Sequence, residues 1–194
     1  RDSSVTGVQT CALPIYCSTN YRRYLKNTFM IRSIFSVDQR GGLGNKGSLP
    51  WPKDKEDMAW FQEATEGHVV VMGRRTWEDP KMPKPLPKRT CVVLTSQGSV
   101  QNAIAKRGDP VKIVKELQEV YPKKHIYIIG GADLLMETKD ICDEMWIAHR
   151  KGSYYTDVRL DINRYLLGTR ITSSMPNQSR TINWCVYKHF FRPL

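Results

Sequence analysis

The chain has no apolar run near the roughly 20 residues that cross a bilayer, so no membrane role is expected. Its five cysteines, Cys11, Cys17, Cys91, Cys142 and Cys185, stand without CxxC spacing or nearby histidines. That absence argues against a zinc site or disulfide framework, so we expect no metal and a reducing, cytoplasmic compartment. Cys91 and Cys185 fall in strand-like runs, where a cysteine usually serves as a small buried apolar group. The sequence has no internal repeats and no low-complexity tract. Acidic residues are the scarcer charge, 19 against 30 basic, for a formal net charge of +11. Such a balance suits polyanions, a small anionic substrate or a phosphorylated cofactor. No nucleic-acid motif or basic stripe interleaved with aromatics accompanies it, so no specific nucleic-acid partner is expected.

What is present fits one globular domain: 194 residues, 40% of them apolar and 25% charged. Residues 1–29 show no apolar periodicity, and lack the ordered basic, apolar and small-residue regions of a signal peptide. Within them, Val5 to Ile15 (VTGVQTCALPI) resembles the translation of a sequencing-adapter oligonucleotide. We therefore expect 1–29 to be a disordered, non-native leader and the domain to run from Met30 to Leu194. That domain keeps 26 basic and 18 acidic residues, a charge of +8.

Ile31 to Val37 reads as a first strand, and the glycine-rich DQRGGLGNKGS after it as a loop. Gly42 to Gly47 matches GxGxxG, but Leu49-Pro50-Trp51-Pro52 follows where a dinucleotide fingerprint needs a helix, and prolines keep the chain extended. An active-site loop is the better reading. A helix is expected from Asp54 to Glu66, stopped by Gly67, and it poses a problem. At about 100° per residue Asp57 falls in one arc with Met58, Trp60, Phe61, Ala64 and Thr65. A carboxylate on an apolar face costs free energy unless the protein or a ligand supplies a partner.

His68 to Met72 is a continuous apolar strand of the doubly buried kind, and Gly73 to Trp77 opens a helix with Arg74 and Arg75 at its start, suited to an anion. After the proline-rich Pro80 to Pro87 come a strand at Cys91 to Thr95, a helix at Val111 to Glu119, and a strand at Ile126 to Ile129. That strand ends in Gly130-Gly131, which lets a ligand approach the backbone before the helical ADLLMETK. Met145 to His149 is a fifth strand, and Ile171 to Met175 with Asn183 to Phe191 a closing hairpin. Alternating strands and helices predict an α/β fold: a single domain with a central, mainly parallel twisted sheet, an antiparallel C-terminal edge hairpin and flanking helices.

From Met30 onward the pieces GLGNKGSLPW, the helix acid before MAWF, VVMGRRTWE, KPLPKRTCVVLTS and IYIIGGADLL resemble, in order, those of the dihydrofolate reductases. The resemblance implies reduction of 7,8-dihydrofolate to tetrahydrofolate by hydride transfer to C6 with protonation at N5, with NADPH as cofactor, in a monomer. It implies Asp57, Trp51 and Leu49 as the catalytic set. The pterin and its tail would meet Ile34, Asp57, Met58, Phe61, Met82 and Leu86, with Arg89 on the glutamate α-carboxylate. The cofactor would meet Ser36, Gly44, Gly73, Arg74, Arg75, Thr76, Thr95, Ser96, Ile129, Gly130 and Gly131. The glycine pair is commonly joined by a cis peptide in this family, and the loop from Gly41 to Ser48 resembles one that closes over nicotinamide.

The chain departs from the family pattern at three positions. Ala148 stands where many members have a threonine whose hydroxyl bonds the carboxylate, Leu135 where a tyrosine is common, and Asp133 where a basic residue is frequent. On this reading Asp57 is less firmly oriented or relies on water, and its missing partner is the substrate. Two other readings remain in view. A reductase of the same fold acting on a pyrimidine intermediate of riboflavin synthesis would lack the LPW and helix-acid arrangement. An assembly protein retaining the fold after losing catalysis is favoured by Ala148 and disfavoured by Asp57 and Arg89.

Overall fold

The computed structural model describes residues 29–175 and 181–190. Apart from Phe29, the expected leader lies outside the described residues. An eight-stranded sheet is formed by β1 (Ile31–Val37), β3 (Val69–Gly73), β4 (Thr90–Leu94), β5 (Ile104–Lys106), β6 (Ile126–Gly130), β7 (Glu144–Arg150), β9 (Thr169–Met175) and β10 (Ile182–His189), in the order β5-β4-β3-β6-β1-β7-β10-β9. The first six strands in that order run parallel, and β10 pairs antiparallel with both β7 and β9. The helices are α1 (Lys55–Thr65), α2 (Arg74–Trp77), α3 (Pro110–Val120), α4 (Ala132–Thr138) and α5 (Ile162–Tyr165). The expected architecture is the observed one.

Three local expectations need correction. The loop after β1 carries a short strand, β2 (Gly42–Gly44), paired antiparallel with β8 (Val158–Arg159). Both are too short to carry an alternating pattern that sequence could reveal. Asp38 pins this loop: its carboxylate accepts the N–H groups of Arg40, Gly42 and Tyr154. Burial pushes the Asp38 carboxyl up, but those backbone donors together with Arg159 hold it below the ordinary carboxylate range. Gly41 is required here, since at φ +76° a Cβ would collide with the Leu160 carbonyl. The helix expected to open at Gly73 is a single turn, and β5 escaped notice because its three residues include only one large apolar side chain.

β1 is central because β6 and β7 flank it and its side chains feed both faces. Ile31, Phe35 and Val37 join the core on one face, with α3 and α4, while Ile34 joins the other, beside Ala64 of α1. Two buried polar contacts cross this centre. Tyr165 donates its hydroxyl to Ser33 Oγ at 2.8 Å. Arg32 Nε meets Glu144 Oε2 at 2.8 Å, with Trp146 Nε1 on the same oxygen and Lys188 Nζ on Oε1. Burial raises the Glu144 carboxyl, and those cations and the indole donor outweigh it, leaving it below its ordinary value.

His125, just before β6, accepts the Met30 N–H on Nδ1 and packs edge-on against His68. Burial, with Arg32 nearby, drives its pKa down to about 3, so the folded protein holds a neutral ring. The unfolded chain, whose histidine titrates near 6.5, then binds the proton first as pH falls. Stability is therefore complete above about pH 6.5 and declines by about 1.4 kcal/mol per pH unit below it for this one group. Urea unfolding at pH 7 and pH 5 checks this. Equal unfolding free energies at the two values would contradict a buried neutral His125.

Candidate active site

Asp57 lies in the first turn of α1. Asp54 caps that helix, its side chain accepting the N–H groups of Glu56 and Asp57, which fixes where the turn starts. Trp60, one turn on, stacks on Trp146 of β7 at 6.0 Å and meets Trp184 of β10 at 6.3 Å. Cap and tryptophan cluster together aim Asp57 at the carboxyl ends of β1 and β7.

There the carboxylate finds partners within the protein. Ser36 on β1 donates its hydroxyl to Asp57 Oδ2 at 2.8 Å, and Arg150 at the end of β7 places Nη2 2.7 Å from the same oxygen. Asp57 is 8% exposed and Arg150 5%. The guanidinium also lies over the Trp51 ring at 4.8 Å, and its Nη1 is 3.7 Å from Asp54 Oδ2. The second carboxylate oxygen, Oδ1, is buried and has no hydrogen-bond partner among the described residues.

Two sequence expectations change here. The substrate is not the sole partner of Asp57, because Arg150 and Ser36 already hold one oxygen. Ala148 does not leave the acid unoriented either. The register sets Ser36 directly beside Ala148, so the hydroxyl has moved one strand sideways. Arg150 escaped the sequence reading, although it stands two residues beyond Ala148 and so shares its face of the strand. A basic residue two positions beyond Ala148, on the same face of the strand, was the available clue.

The expected pterin walls divide. Ile34 and Leu86 are buried in one apolar cluster, with Phe61 and Met82 packed against it. Met58 and Leu49 are each 44% exposed, so Met58 does not share the buried face of α1. Trp51 is buried against Tyr154. Arg89 is half-buried and held in place: Nε donates to the Pro87 carbonyl at 2.9 Å, Nη1 to Thr65 Oγ1 at 3.3 Å, and the guanidinium sits over Phe61 at 5.8 Å. Two of its five donors are thus committed and three remain.

The second group of residues gathers across β3 and β6. The Gly130-Gly131 peptide is cis. Gly130 has φ +134°, and a Cβ there would come within 3.4 Å of Thr76 Oγ1, while one on Gly73 would lie 3.6 Å from the Gly131 nitrogen. The positive φ demands glycine at Gly130, and added Cβ atoms at Gly73 or Gly131 would occupy the surface without clashing. Beside it, Arg74 pairs with Glu78 at 2.6 Å but leaves Nη1 buried and unpartnered. A cleft of about 230 Å³ adjoins Arg74, lined also by Trp77, Lys84 and Gln97. Arg75 and Ser96 are exposed, Ile129 is half-buried at the end of β6, and Thr95 accepts the Gln97 N–H on Oγ1. Gly44 lies in β2, away from this cleft's lining. Ser36 faces Asp57 rather than open space. Leu135 is fully buried and Asp133 exposed.

Both groups sit at the carboxyl ends of parallel strands, where open α/β sheets bind ligands. A mainly parallel α/β sheet with a half-satisfied buried carboxylate and a glycine–arginine cleft at this edge has the form of a small ligand-binding α/β domain. More narrowly, the chain belongs to the dihydrofolate reductase family, whose model matches residues 30–177. A dihydrofolate reductase from Buchnera aphidicola is 30% identical over 138 residues, covering 71% of this chain and 74% of the relative. One from Mycoplasma genitalium is 27% identical over 146 residues, covering 71% and 88%. Among solved structures, dihydrofolate reductase from Enterococcus faecalis in complex with NADP(H) and RAB-propyl superposes with a TM-score of 0.70. It is 24% identical, and the match covers 84% of this chain and 97% of that one.

The relocated hydroxyl predicts the behaviour of Ser36→Ala. Losing a hydrogen bond to a charged group costs about 1.5–3 kcal/mol, so kcat/KM for dihydrofolate should fall at least about tenfold with the fold retained. Steady-state kinetics beside a circular-dichroism melt decides it. Unchanged kinetics would mean that the Ser36 bond does not orient Asp57.

Proposed function

We propose that this chain reduces 7,8-dihydrofolate to 5,6,7,8-tetrahydrofolate with NADPH, and that Asp57 is its ring-binding and catalytic carboxylate. The observation that carries this is the state of the two Asp57 oxygens: Oδ2 is saturated by Ser36 and Arg150, while Oδ1 is buried without a partner. A buried acceptor left open costs roughly 1–3 kcal/mol, and the 2-amino group of a pterin is a donor suited to it. Family membership supplies the identity of that ring.

The residues of the second group fit a phosphorylated cofactor. The Gly73, Gly130 and Gly131 backbones leave room that any Cβ would fill, and the unpartnered Arg74 Nη1 supplies a buried positive donor for a phosphate oxygen. We assign Gly73, Arg74, Arg75 and Thr76 to the phosphates, Thr95 and Ser96 to the adenosine side, and Ile129 to the nicotinamide side. When bound, NADPH supplies the hydride, delivered from nicotinamide C4 to C6 of the pterin.

The chain's own share is binding, orientation and exclusion of water. Asp57 fixes the ring by accepting its 2-amino group on the open Oδ1 and polarises it, so that N5 takes its proton from water. Ile34, Phe61, Met82 and Leu86 supply the apolar walls. Arg89, already anchored by Pro87, Thr65 and Phe61, offers its remaining donors to the glutamate α-carboxylate, a two-point grip suited to its planar fork. Leu49, Pro50 and Trp51 form the base of the Asp38-pinned loop. The assembly-protein reading loses the observation that favoured it, since Ser36 restores the hydroxyl missing at Ala148.

The direct test is the fall in absorbance at 340 nm on mixing protein that starts at Met30 with NADPH and dihydrofolate; no fall in folded protein would refute the proposal. Asp57→Asn should keep the fold and cofactor binding while removing most turnover at neutral pH. Arg89→Leu should raise KM for dihydrofolate roughly tenfold to a hundredfold, the worth of a charge-assisted pair, with a much smaller change in kcat. An unaltered KM would remove Arg89 from the tail site.

A further inference from the structure

We propose that Asp54 is a positioning residue for the reduction: it takes a share of the Arg150 charge, so the cluster behind Asp57 stays net negative and favours a proton on the bound ring. This rests on the assignment of Asp57 as the ring-binding carboxylate. Asp54 has two tasks on two oxygens. Oδ1 caps α1, accepting the N–H groups of Glu56 at 3.0 Å and Asp57 at 3.2 Å. Oδ2 is not used by the cap and lies 3.7 Å from Arg150 Nη1, while Nη2 of the same guanidinium is 2.7 Å from Asp57 Oδ2. One cation thus lies between two carboxylates, and the three groups together are formally negative.

Capping alone does not call for an acid here, since asparagine and serine cap about as well. The charge that asparagine would lack is the part that reaches Arg150. All three side chains are largely removed from water, at 21% exposed for Asp54, 11% for Asp57 and 4% for Arg150, so their fields are weakly screened. The groups packed on them add no charge: Ser36 bonds Asp57, and Trp51 covers the guanidinium with Tyr154 at its edge. Lys53, Lys55 and Glu56, the charged neighbours in the chain, are exposed and better screened. Arg150 and Asp57 by themselves would form a neutral pair and do little for a cation. The reaction makes one. N5 gains a proton from water, and the ring carries positive charge until hydride reaches C6; dihydrofolate, NADPH and one proton then give tetrahydrofolate and NADP+. A net negative cluster stabilises the protonated ring, and Asp54 supplies the excess charge.

The test separates cap from charge. Asp54→Asn keeps a capping oxygen and removes the charge, whereas Asp54→Glu keeps the charge and caps poorly. Single-turnover hydride transfer at 340 nm, with dihydrofolate and NADPH from about pH 5 to pH 9, gives the midpoint of each pH profile. A circular-dichroism melt gives stability. Asp54→Asn should melt near wild type while its midpoint falls by about half a unit to one unit, the scale of one weakly screened charge. Above the midpoint, hydride transfer then slows about threefold to tenfold. Asp54→Glu should melt lower and keep the wild-type midpoint. Asp54→Ser, a second uncharged cap, should behave as Asp54→Asn and takes its place if that variant does not fold. A wild-type midpoint in the Asn or Ser variant overturns the proposal and leaves Asp54 a helix cap, and so does a Glu midpoint shifted as far as theirs. Wild-type turnover separates this from the reading beneath it: folded wild type that reduces no dihydrofolate overturns the Asp57 assignment, and the role of Asp54 with it.

Discussion

Asp57 places a carboxylate where water cannot reach it, and the rest of the site is arranged around that fact. Taking an ion out of water costs several kcal/mol even after relaxation. The cost is offset here by a guanidinium from the end of β7 and a hydroxyl from the end of β1, which meet on one oxygen. Because these donors come from neighbouring strands, the pair ties the start of α1 to the sheet. Asp54, the cap of the same helix, stands at the other side of the guanidinium, and Trp51 roofs it. Helix start, loop base and two strand ends thus share one electrostatic anchor.

A comparison of the two buried carboxylates separates structure from chemistry. Glu144 has both oxygens occupied, by Arg32 and Trp146 on one and Lys188 on the other. Such closure serves the sheet and leaves nothing for a ligand. Asp57 closes only Oδ2 and leaves Oδ1 open in a buried position. Burial and ionic pairing alone would not distinguish them, since both sites contain a buried arginine near a tryptophan. The unpartnered oxygen does distinguish them.

The same logic holds at the second ligand position. The Gly73 and Gly130-Gly131 backbones lie next to one another and to Thr76 with no side chains between them, and Arg74 keeps one buried donor uncommitted. The sheet brings these features together because β3 and β6 are adjacent and end at the same level, Met72 lying opposite Gly130. Asp38 and Leu160 hold the glycine-rich loop after β1 against β8.

Hydrophobic period and glycine placement alone located β1, β3, β4, β6, β7, the closing hairpin and helices α1, α3 and α4 to within a residue or two, because each buries a continuous or regularly spaced apolar set. They also exposed Asp57 as an acid on the wrong side of a helix, and Arg89, Gly130 and Gly131 came with the motifs around them. The short β2, β5 and β8 were illegible, since two or three residues carry no period. So was the identity of the acid's partners. Ser36 and Ala148 are 112 positions apart in sequence, and only parallel registration makes them neighbours. Arg150 is one of many basic residues until strand pairing and the stack on Trp51 desolvate it. Local chain chemistry determined where the elements lie and that one carboxylate needed compensation. Tertiary structure decided which charge compensates it and which oxygen stays open, because those depend on distances between segments that the sequence does not order.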